Sequence, residues 1–247
     1  PGQATLTAPV RDGPDQASLA WDQVRWGQGE LQTSGRVKGL PMSWLALVGH
    51  VPPTGDMRLD GQWDARLGTS LRLQASLARA QGDITLLAET AEGVPTRVPA
   101  GVREARLDLD SNGDEVHLGL RWDSERAGAV EGRLSTRLAR GGAAGWRWPE
   151  DAPLSGRLQA RLPRMAVWSM LAPPGWRLRG SVEADLAVAG TRAAPRIEGP
   201  LRADDLGLRS VVDGVALQDG RLRARLDTRR LVIDELLLQG AGAGGSL

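Results

Sequence analysis

The sequence predicts a mostly β protein, an elongated antiparallel sheet with one apolar and one polar face and two short helices. Two observations predict it: apolar and polar residues alternate with period two along most of the chain, and only two segments, each opened by a proline, break that alternation. Because a one-sided apolar sheet must cover its apolar face, the pattern fits either two packed sheets or a U-shaped trough around an apolar ligand.

The clearest alternation runs from Trp176 to Gly190. Its charged residues all lie at odd positions and so share one face of the strand. The opposite face carries Trp176, Leu178, Gly180, Val182, Ala184, Leu186 and Val188. At about 3.3 Å per residue such a strand is about 50 Å long, which exceeds the usual length, so we expect a bend at Gly180.

The same pattern predicts further strands at 17–22, 130–138, 154–162 and 222–226. Two pairs of turn residues suggest hairpins. Folding at Asn112-Gly113 would place Leu109 opposite Val116 and Leu107 opposite Leu118. Folding at Asp219-Gly220 would place Leu217 opposite Leu222. The sequence therefore favours antiparallel meanders.

The two exceptions, 41–48 and 163–171, each begin with proline and end near a Pro-Pro pair, as short helices do. They also mark a repeat, in which Leu40-Pro41 corresponds to Leu162-Pro163 and the strand 61–67 corresponds to 180–186. We expect two trough units, 1–150 and 151–247, in a segment of a longer, elongated protein.

Composition argues against most catalytic chemistry. Thirty-one basic residues nearly balance 30 acidic ones, so no excess positive charge attracts nucleic acid. The chain has no cysteine and only two histidines, which leaves no thiolate nucleophile and no histidine cluster for a metal. We therefore expect no catalytic residue, no metal and no cofactor.

The remaining motifs favour structural explanations. Gly240–Gly245 follows the dinucleotide-binding spacing but lacks the preceding parallel βαβ pattern, so a glycine-rich strand end is the better interpretation. Adjacent Asp204 and Asp205 face opposite sides of a strand and suit a solvated turn. His117 reads as a solvated residue on a polar face, and His50 as a loop residue.

Arg221, Arg223 and Arg225 share one strand face. We expect them to pair with acidic residues on neighbouring strands, with lipid headgroups at a groove rim as the alternative.

The carboxyl-terminal half resembles the TamB-type translocation and assembly module family, within the wider AsmA-like group. The resemblance rests on degenerate glycine, proline and apolar patterns at 180–191, 195–199, 201–208, 214–220, 231–238 and 240–242. It covers about residues 154–247 and, through the repeat, 31–90 more weakly.

The resemblance implies a β-taco trough in a periplasmic bridge of the Gram-negative envelope, anchored to the inner membrane by a helix outside this chain. It implies phospholipid transport in outer-membrane biogenesis, and an Omp85-type outer-membrane barrel, TamA, as the partner of a further carboxyl-terminal region. The resemblance carries no catalytic residues.

Together these inferences predict an apolar, lipid-facing lane along the sheet. Its residues are Leu158, Leu178, Val182, Leu186, Val188, Leu222, Leu226 and Ile233. Two other hypotheses stay open: a periplasmic scaffold or chaperone that pairs its strand edges with outer-membrane protein strands during assembly and secretion, and a secreted β-solenoid adhesin with a filled interior.

Overall fold

A computed structural model describes residues 4–9, 16–27, 29–47, 54–89, 95–141, 145–167, 176–210 and 213–240. The strands in chain order are β1 (Ala4–Pro9), β2 (Gln16–Gly27), β3 (Glu30–Pro41), β4 (Arg58–Leu67), β5 (Leu71–Gln81), β6 (Thr85–Glu89), β7 (Pro95–Pro99), β8 (Val102–Asn112), β9 (Glu115–Ser124), β10 (Gly128–Arg137), β11 (Ala139–Arg140), β12 (Trp146–Arg147), β13 (Leu154–Leu162), β14 (Trp176–Gly190), β15 (Pro195–Ser210), β16 (Val215–Asp227) and β17 (Arg230–Gly240).

Thirteen of these strands form one antiparallel sheet in the order β1-β2-β3-β4-β5-β8-β9-β10-β13-β14-β15-β16-β17. The hairpins β6–β7 and β11–β12 leave this meander as separate two-stranded sheets. Because β1 and β17 are its edges, the described sheet is open rather than closed.

The predicted fold class, a mostly antiparallel β structure compatible with a trough, is confirmed. Strand β10 pairs with β13, so the predicted units 1–150 and 151–247 share this sheet; their division as repeats stays a prediction.

The register keeps apolar residues together across the sheet. One row runs through Leu120, Gly132, Leu158 and Leu186, which are successive partners on β9, β10, β13 and β14. We call this side the apolar face and the opposite side the polar face. At about 4.8 Å per strand, 13 strands extend the apolar face over roughly 58 Å.

Bulges interrupt three long strands near the predicted bend. The β14–β15 register shifts between Arg179 and Ser181, around Gly180, whose φ is +104°. The shifted residues of β15 and β16 include Asp205 and Asp219, which both have φ of +53°. Bulges bend a strand and increase its twist, so the irregularity falls where Gly180 predicts it.

Both predicted hairpins need correction. Residues Asp219-Gly220 lie inside β16, because an aspartate with positive φ suits a bulge as well as a turn. The first hairpin turns at Gly113-Asp114 instead of Asn112-Gly113. Only Gly113 there has positive φ, +65°, as in a type II′ turn.

The turn shift moves the register by two residues and leaves each residue on its expected face. Leu109 therefore pairs with Leu118, and Leu107 with Leu120.

The proline-started segments begin as short 3-10 structures. Pro41 ends β3 and a 3-10 helix spans Met42–Leu47. The second segment has a 3-10 turn at 165–167, and its residues 168–171 lie outside the described residues, as do Val48 and His50.

The hydrophobic core lies at one end of the strands rather than along the whole sheet. The 3-10 helix, the β6–β7 hairpin and the 165–167 turn pack together there. Its buried members are Met42, Met57, Leu59, Ile84, Leu86, Ala100, Val102, Ala127 and Val167. Leu77, Ala105 and Trp122 of the apolar face pack against this cluster, so it forms a cap over part of that face.

Candidate functional site

The eight residues predicted to face lipid lie on the apolar face. Leu158 pairs with Leu186, and Leu222 lies in the row of Val182 and Ala203. Ile233 continues the row of Ala224 on β17. The remaining three, Leu178, Val188 and Leu226, pair with Leu208, Ile197 and Leu231. The structure thus brings the set onto one surface, and contact with lipid stays a prediction.

Much of this surface is uncovered in the carboxyl-terminal strands. Ile197 of β15 is 36% exposed, and Leu231, Ile233 and Leu236 of β17 are 47–50% exposed. Isolated exposed aliphatics are common on proteins, but Leu231, Ile233 and Leu236 follow one another on one side of β17 and form a patch, with Ile197 on the same side two strands away. The apolar face of β15–β17 therefore offers aliphatic surface to an apolar partner.

Several positions on the apolar face are glycines, which have no side chain and are covered by the side chains of neighbouring residues. A Cβ built on Gly156 would lie 3.2 Å from Leu134 Cδ1, and one on Gly132 would lie 3.2 Å from Leu158 Cδ1. Neighbouring leucines lean over these glycines, which leaves no room for larger residues. The face is consequently shallow and lined by medium-sized aliphatic side chains.

The cap is fixed to the sheet by the carboxylate of Asp83, at the base of the β6–β7 hairpin. Its Oδ1 accepts hydrogen bonds from the backbone N–H groups of Ile84 at 2.7 Å and Val102 at 3.2 Å. Its Oδ2 accepts one from Gly101 at 2.8 Å. Three donors on one carboxylate hold the hairpin over the amino-terminal half of the apolar face.

The β11–β12 hairpin, which we call the strap, lies at the end of the strands opposite the cap. The indole Nε1 of Trp146 donates to the carbonyl of Gly68 at 3.1 Å, and the guanidinium of Arg140 donates to that of Thr69. Because Gly68 and Thr69 form the β4–β5 turn, the strap extends past the ends of β5, β8 and β9. Trp148 Nε1 donates to Thr136 Oγ1 at 2.9 Å.

One polar atom lies unsatisfied at the apolar face. The indole Nε1 of Trp122, beside the cap, is buried and has no hydrogen-bond partner among the described residues. A buried donor without an acceptor costs about 1–3 kcal/mol. A bound molecule with an ester or carbonyl oxygen would supply the acceptor that the described residues do not.

The polar face is lined with paired charges. Arg157 Nε donates to Asp185 Oδ1 at 2.6 Å, and Arg103 donates to both carboxylate oxygens of Asp123 at 2.7 and 2.8 Å. Hydrogen bonds from Arg157 lower the pKa of Asp185, and those from Arg103 lower the pKa of Asp123. These ion pairs keep the polar face hydrated beside the apolar one.

The three arginines of β16 follow the expected cross-strand pairing. Arg223 Nη2 lies 2.7 Å from Asp204 Oδ1, and Arg225 Nη2 lies 3.0 Å from Asp234 Oδ1. Arg221 lies 3.8 Å from Glu235. The expected solvated turn at Asp204-Asp205 is wrong, because both residues lie in the bulge of β15, where Asp204 meets Arg223.

The polar face also carries a depression of about 750 Å³ across β3, β4, β5 and β8. Asp64, Gln74 and Asp110, which are partners in register, form one wall. His117 continues this row and its Nδ1 lies 2.9 Å from Ser135 Oγ. Among the described residues no group of histidine, aspartate and glutamate side chains is placed to hold a metal ion.

No protein-family model, curated protein or solved structure matches the chain. Within the described ranges, no helix is long and apolar enough to span a membrane.

Sequence reasoning missed the cap's β6–β7 hairpin and the strap. The tryptophans at 146 and 148, isolated among glycines and arginines, were a usable signal for the strap. The partner of Trp146 is 78 positions away, at Gly68, and no local pattern indicates it.

Proposed function

We propose that this chain is a segment of a periplasmic bridge that carries phospholipid between the inner and outer membranes and so supports outer-membrane assembly. In this proposal the apolar face binds the acyl chains and the headgroups stay in water. The anchor to the inner membrane and the TamA-type partner at the outer membrane belong to the proposal through the family resemblance alone.

The observation that carries the proposal is the uncovered aliphatic patch on the carboxyl-terminal strands. Leu231 and Ile233 of β17, and Ile197 two strands away on β15, lie on the same side of the sheet and are at least 36% exposed. Each acyl CH₂ removed from water by such a surface contributes about 0.8 kcal/mol. Contacts of this kind are not directional, so a chain gains affinity without a fixed position and is able to slide along the face.

The test is lipid analysis of the purified protein by native and denaturing mass spectrometry. We expect co-purified phospholipid, and we expect Val182→Glu or Leu186→Arg to remove it, because each places a charge in the apolar lane. Ala187→Glu is the matched control, since Ala187 is an exposed neighbour on the polar face. Lipid-free, stably folded wild-type protein contradicts the proposal.

The same variants separate the proposal from the scaffold hypothesis. Pairing of a client strand with a sheet edge uses backbone groups, so it tolerates Val182→Glu and is lost when proline is placed in an edge strand.

A further inference from the structure

The depression of about 750 Å³ on the polar face carries hydrogen-bonding groups that are free. Elsewhere on this face, carboxylates such as Asp123 and Asp185 are held by arginines. In the depression, the wall formed by Asp64, Gln74 and Asp110 is exposed to solvent. Within the described residues, the side chains of these three make no hydrogen bond or ion pair. The volume lies within the range of roughly 300–1,000 Å³ that is usual for small-molecule sites.

The two arginines that line the depression are already paired. Arg36 Nη2 donates to Asp22 Oδ1 at 2.9 Å. Arg106 donates to both carboxylate oxygens of Asp108 at 2.7 Å. Phosphate groups are recognised by free guanidinium groups, which make two parallel hydrogen bonds to them. The described lining residues therefore do not favour a phosphorylated ligand or a nucleic acid.

The apolar residues along the depression do not present their side chains to it. Trp63, Ala75 and Leu109 are partners in one row of the apolar face. Because successive residues of a strand point to opposite sides of the sheet, these side chains point away from the depression. An apolar ligand therefore finds little apolar surface there.

The position of Arg72 disfavours a polycation. Arg72 lies two residues from Gln74 on the same face of β5, diagonally across from both Asp64 and Asp110. Diagonal cross-strand neighbours are about 7–8 Å apart. At this distance the positive charge of Arg72 weakens the attraction of both carboxylates for a cation.

The free groups suit a neutral ligand that is rich in hydroxyl groups. A carboxylate only accepts hydrogen bonds, whereas an amide and a hydroxyl group both donate and accept them. Sugar hydroxyl groups would thus donate to Asp64 and Asp110 and accept from Gln74. Hydrogen bonds from hydroxyl groups to carboxylates are charge-assisted and stronger than those between neutral groups. Asp64 and Asp110 lie two strands apart, about 9.6 Å, so a ligand that contacts both is longer than one sugar ring.

We propose that the depression binds a neutral oligosaccharide, and that Asp64, Gln74 and Asp110 are its hydrogen-bonding residues. Gln62 lines the depression two residues before Asp64, on the same face, and supplies a second amide. The site lies on the face opposite the apolar one, so the inference goes beyond lipid transport and does not depend on it. The sheet would hold a carbohydrate on one side and an apolar ligand on the other.

An NMR titration tests the site directly, because the side-chain NH₂ groups of Gln62 and Gln74 give their own signals. The probes are neutral tetrasaccharides of glucose, N-acetylglucosamine, mannose and galactose, each in α-linked and β-linked form. We expect at least one probe to shift both signals in a saturable way. If none of the probes shifts them, the proposal is wrong.

Three variants connect binding to the named side chains. We expect the dissociation constant to rise at least about tenfold in Asp110→Ala, which removes a charge-assisted hydrogen bond, and about fivefold in Gln74→Ala. Both residues are exposed, so the variants should fold, and circular dichroism checks this. Gln159→Ala, on the polar face of β13 outside the depression, should leave the constant unchanged. Unchanged binding in Asp110→Ala and Gln74→Ala overturns the proposal.

Two charged probes distinguish a carbohydrate site from an ion site. Spermidine is the cationic probe and inorganic phosphate is the anionic one. We expect neither to shift the signals of Gln62 and Gln74 at the concentration at which the sugar saturates them. If spermidine binds more tightly than every sugar and Asp110→Ala removes its binding, the depression is a cation site and the proposal is overturned. Phosphate that displaces the sugar overturns it as well.

Discussion

The indole ring of Trp63 lies directly over Gly35, its partner on the neighbouring strand. A Cβ on Gly35 would lie 2.4 Å from the ring atom Cζ2 of Trp63. The indole Nε1 donates to Thr33 Oγ1 at 3.2 Å, and its ring meets Trp21 edge to face at a centroid distance of 6.4 Å. Gly35 thus makes room for an aromatic pair that fills the apolar face at β2–β4.

We therefore expect Gly35→Ala to destabilise the fold by about 1–3 kcal/mol, because the methyl group displaces Trp63 or the backbone carbonyl of Ala20. Gly119→Ala is the control, since the nearest atom to its Cβ would be 3.9 Å away. Urea denaturation followed by circular dichroism measures both. Equal stability of the two variants would contradict this packing.

The cap and the open part of the apolar face should respond differently to truncation. Leu86 is 3% exposed in the cap, so Leu86→Ala should cost about 2–5 kcal/mol. Leu158 is only partly buried on the open face, and Leu158→Ala should cost about 1 kcal/mol in lipid-free protein. Denaturant midpoints provide the comparison. A loss as large at Leu158 as at Leu86 would mean that a packed layer covers the face.

The ion pairs of the polar face predict a loss of stability in acid. Arg157 lowers the pKa of Asp185 in the folded protein, so the folded state favours the charged carboxylate. This contribution is complete above the ordinary aspartate pKa of about 3.9 and disappears as the pH falls through the lower folded value.

In Asp185→Asn we expect the unfolding free energy to decrease less steeply as the pH falls below about 4. Arg157→Gln should have a similar effect, since it removes the cation responsible. Denaturant titrations across this range measure the slope. An unchanged acid slope in both variants would show that the pair makes no contribution.

The strap should contribute to stability through Trp146. Trp146→Ala removes the hydrogen bond to Gly68 and the stacking of Arg140 on the ring, so we expect a loss of about 1–2 kcal/mol. Trp26→Ala, at a residue that is 84% exposed, should change the stability by less than about 0.5 kcal/mol. Thermal unfolding of both variants tests this, and a neutral Trp146→Ala would show that the strap is not held by these contacts.

The sequence predicted most of the sheet because alternation is a local property. The strand Trp176–Gly190 was predicted with its observed bounds, and the faces of its residues follow from period two alone. Turn chemistry was less decisive, since Asp219 takes in a bulge the positive φ that it would also take at the first position of a hairpin turn.

The cap and the strap were beyond local reasoning. The hydrogen bond between Trp146 and Gly68 depends on how five strands place the β4–β5 turn beside β11–β12. Period two predicts which residues of the candidate lane share the apolar face. How exposed they are depends on which parts of that face the cap and the strap cover.

The most direct test of the central claim is photocross-linking from adjacent positions of β13. A benzophenone side chain is placed at Leu158, on the apolar face, or at Gln159, on the polar face, and each protein is exposed to vesicles of an alkyne-labelled phospholipid. Gln159 is the more exposed of the two, so random contact would favour it. We expect lipid cross-links at Leu158 and none above background at Gln159. Equal labelling, or labelling at Gln159 alone, would contradict an apolar face that binds acyl chains.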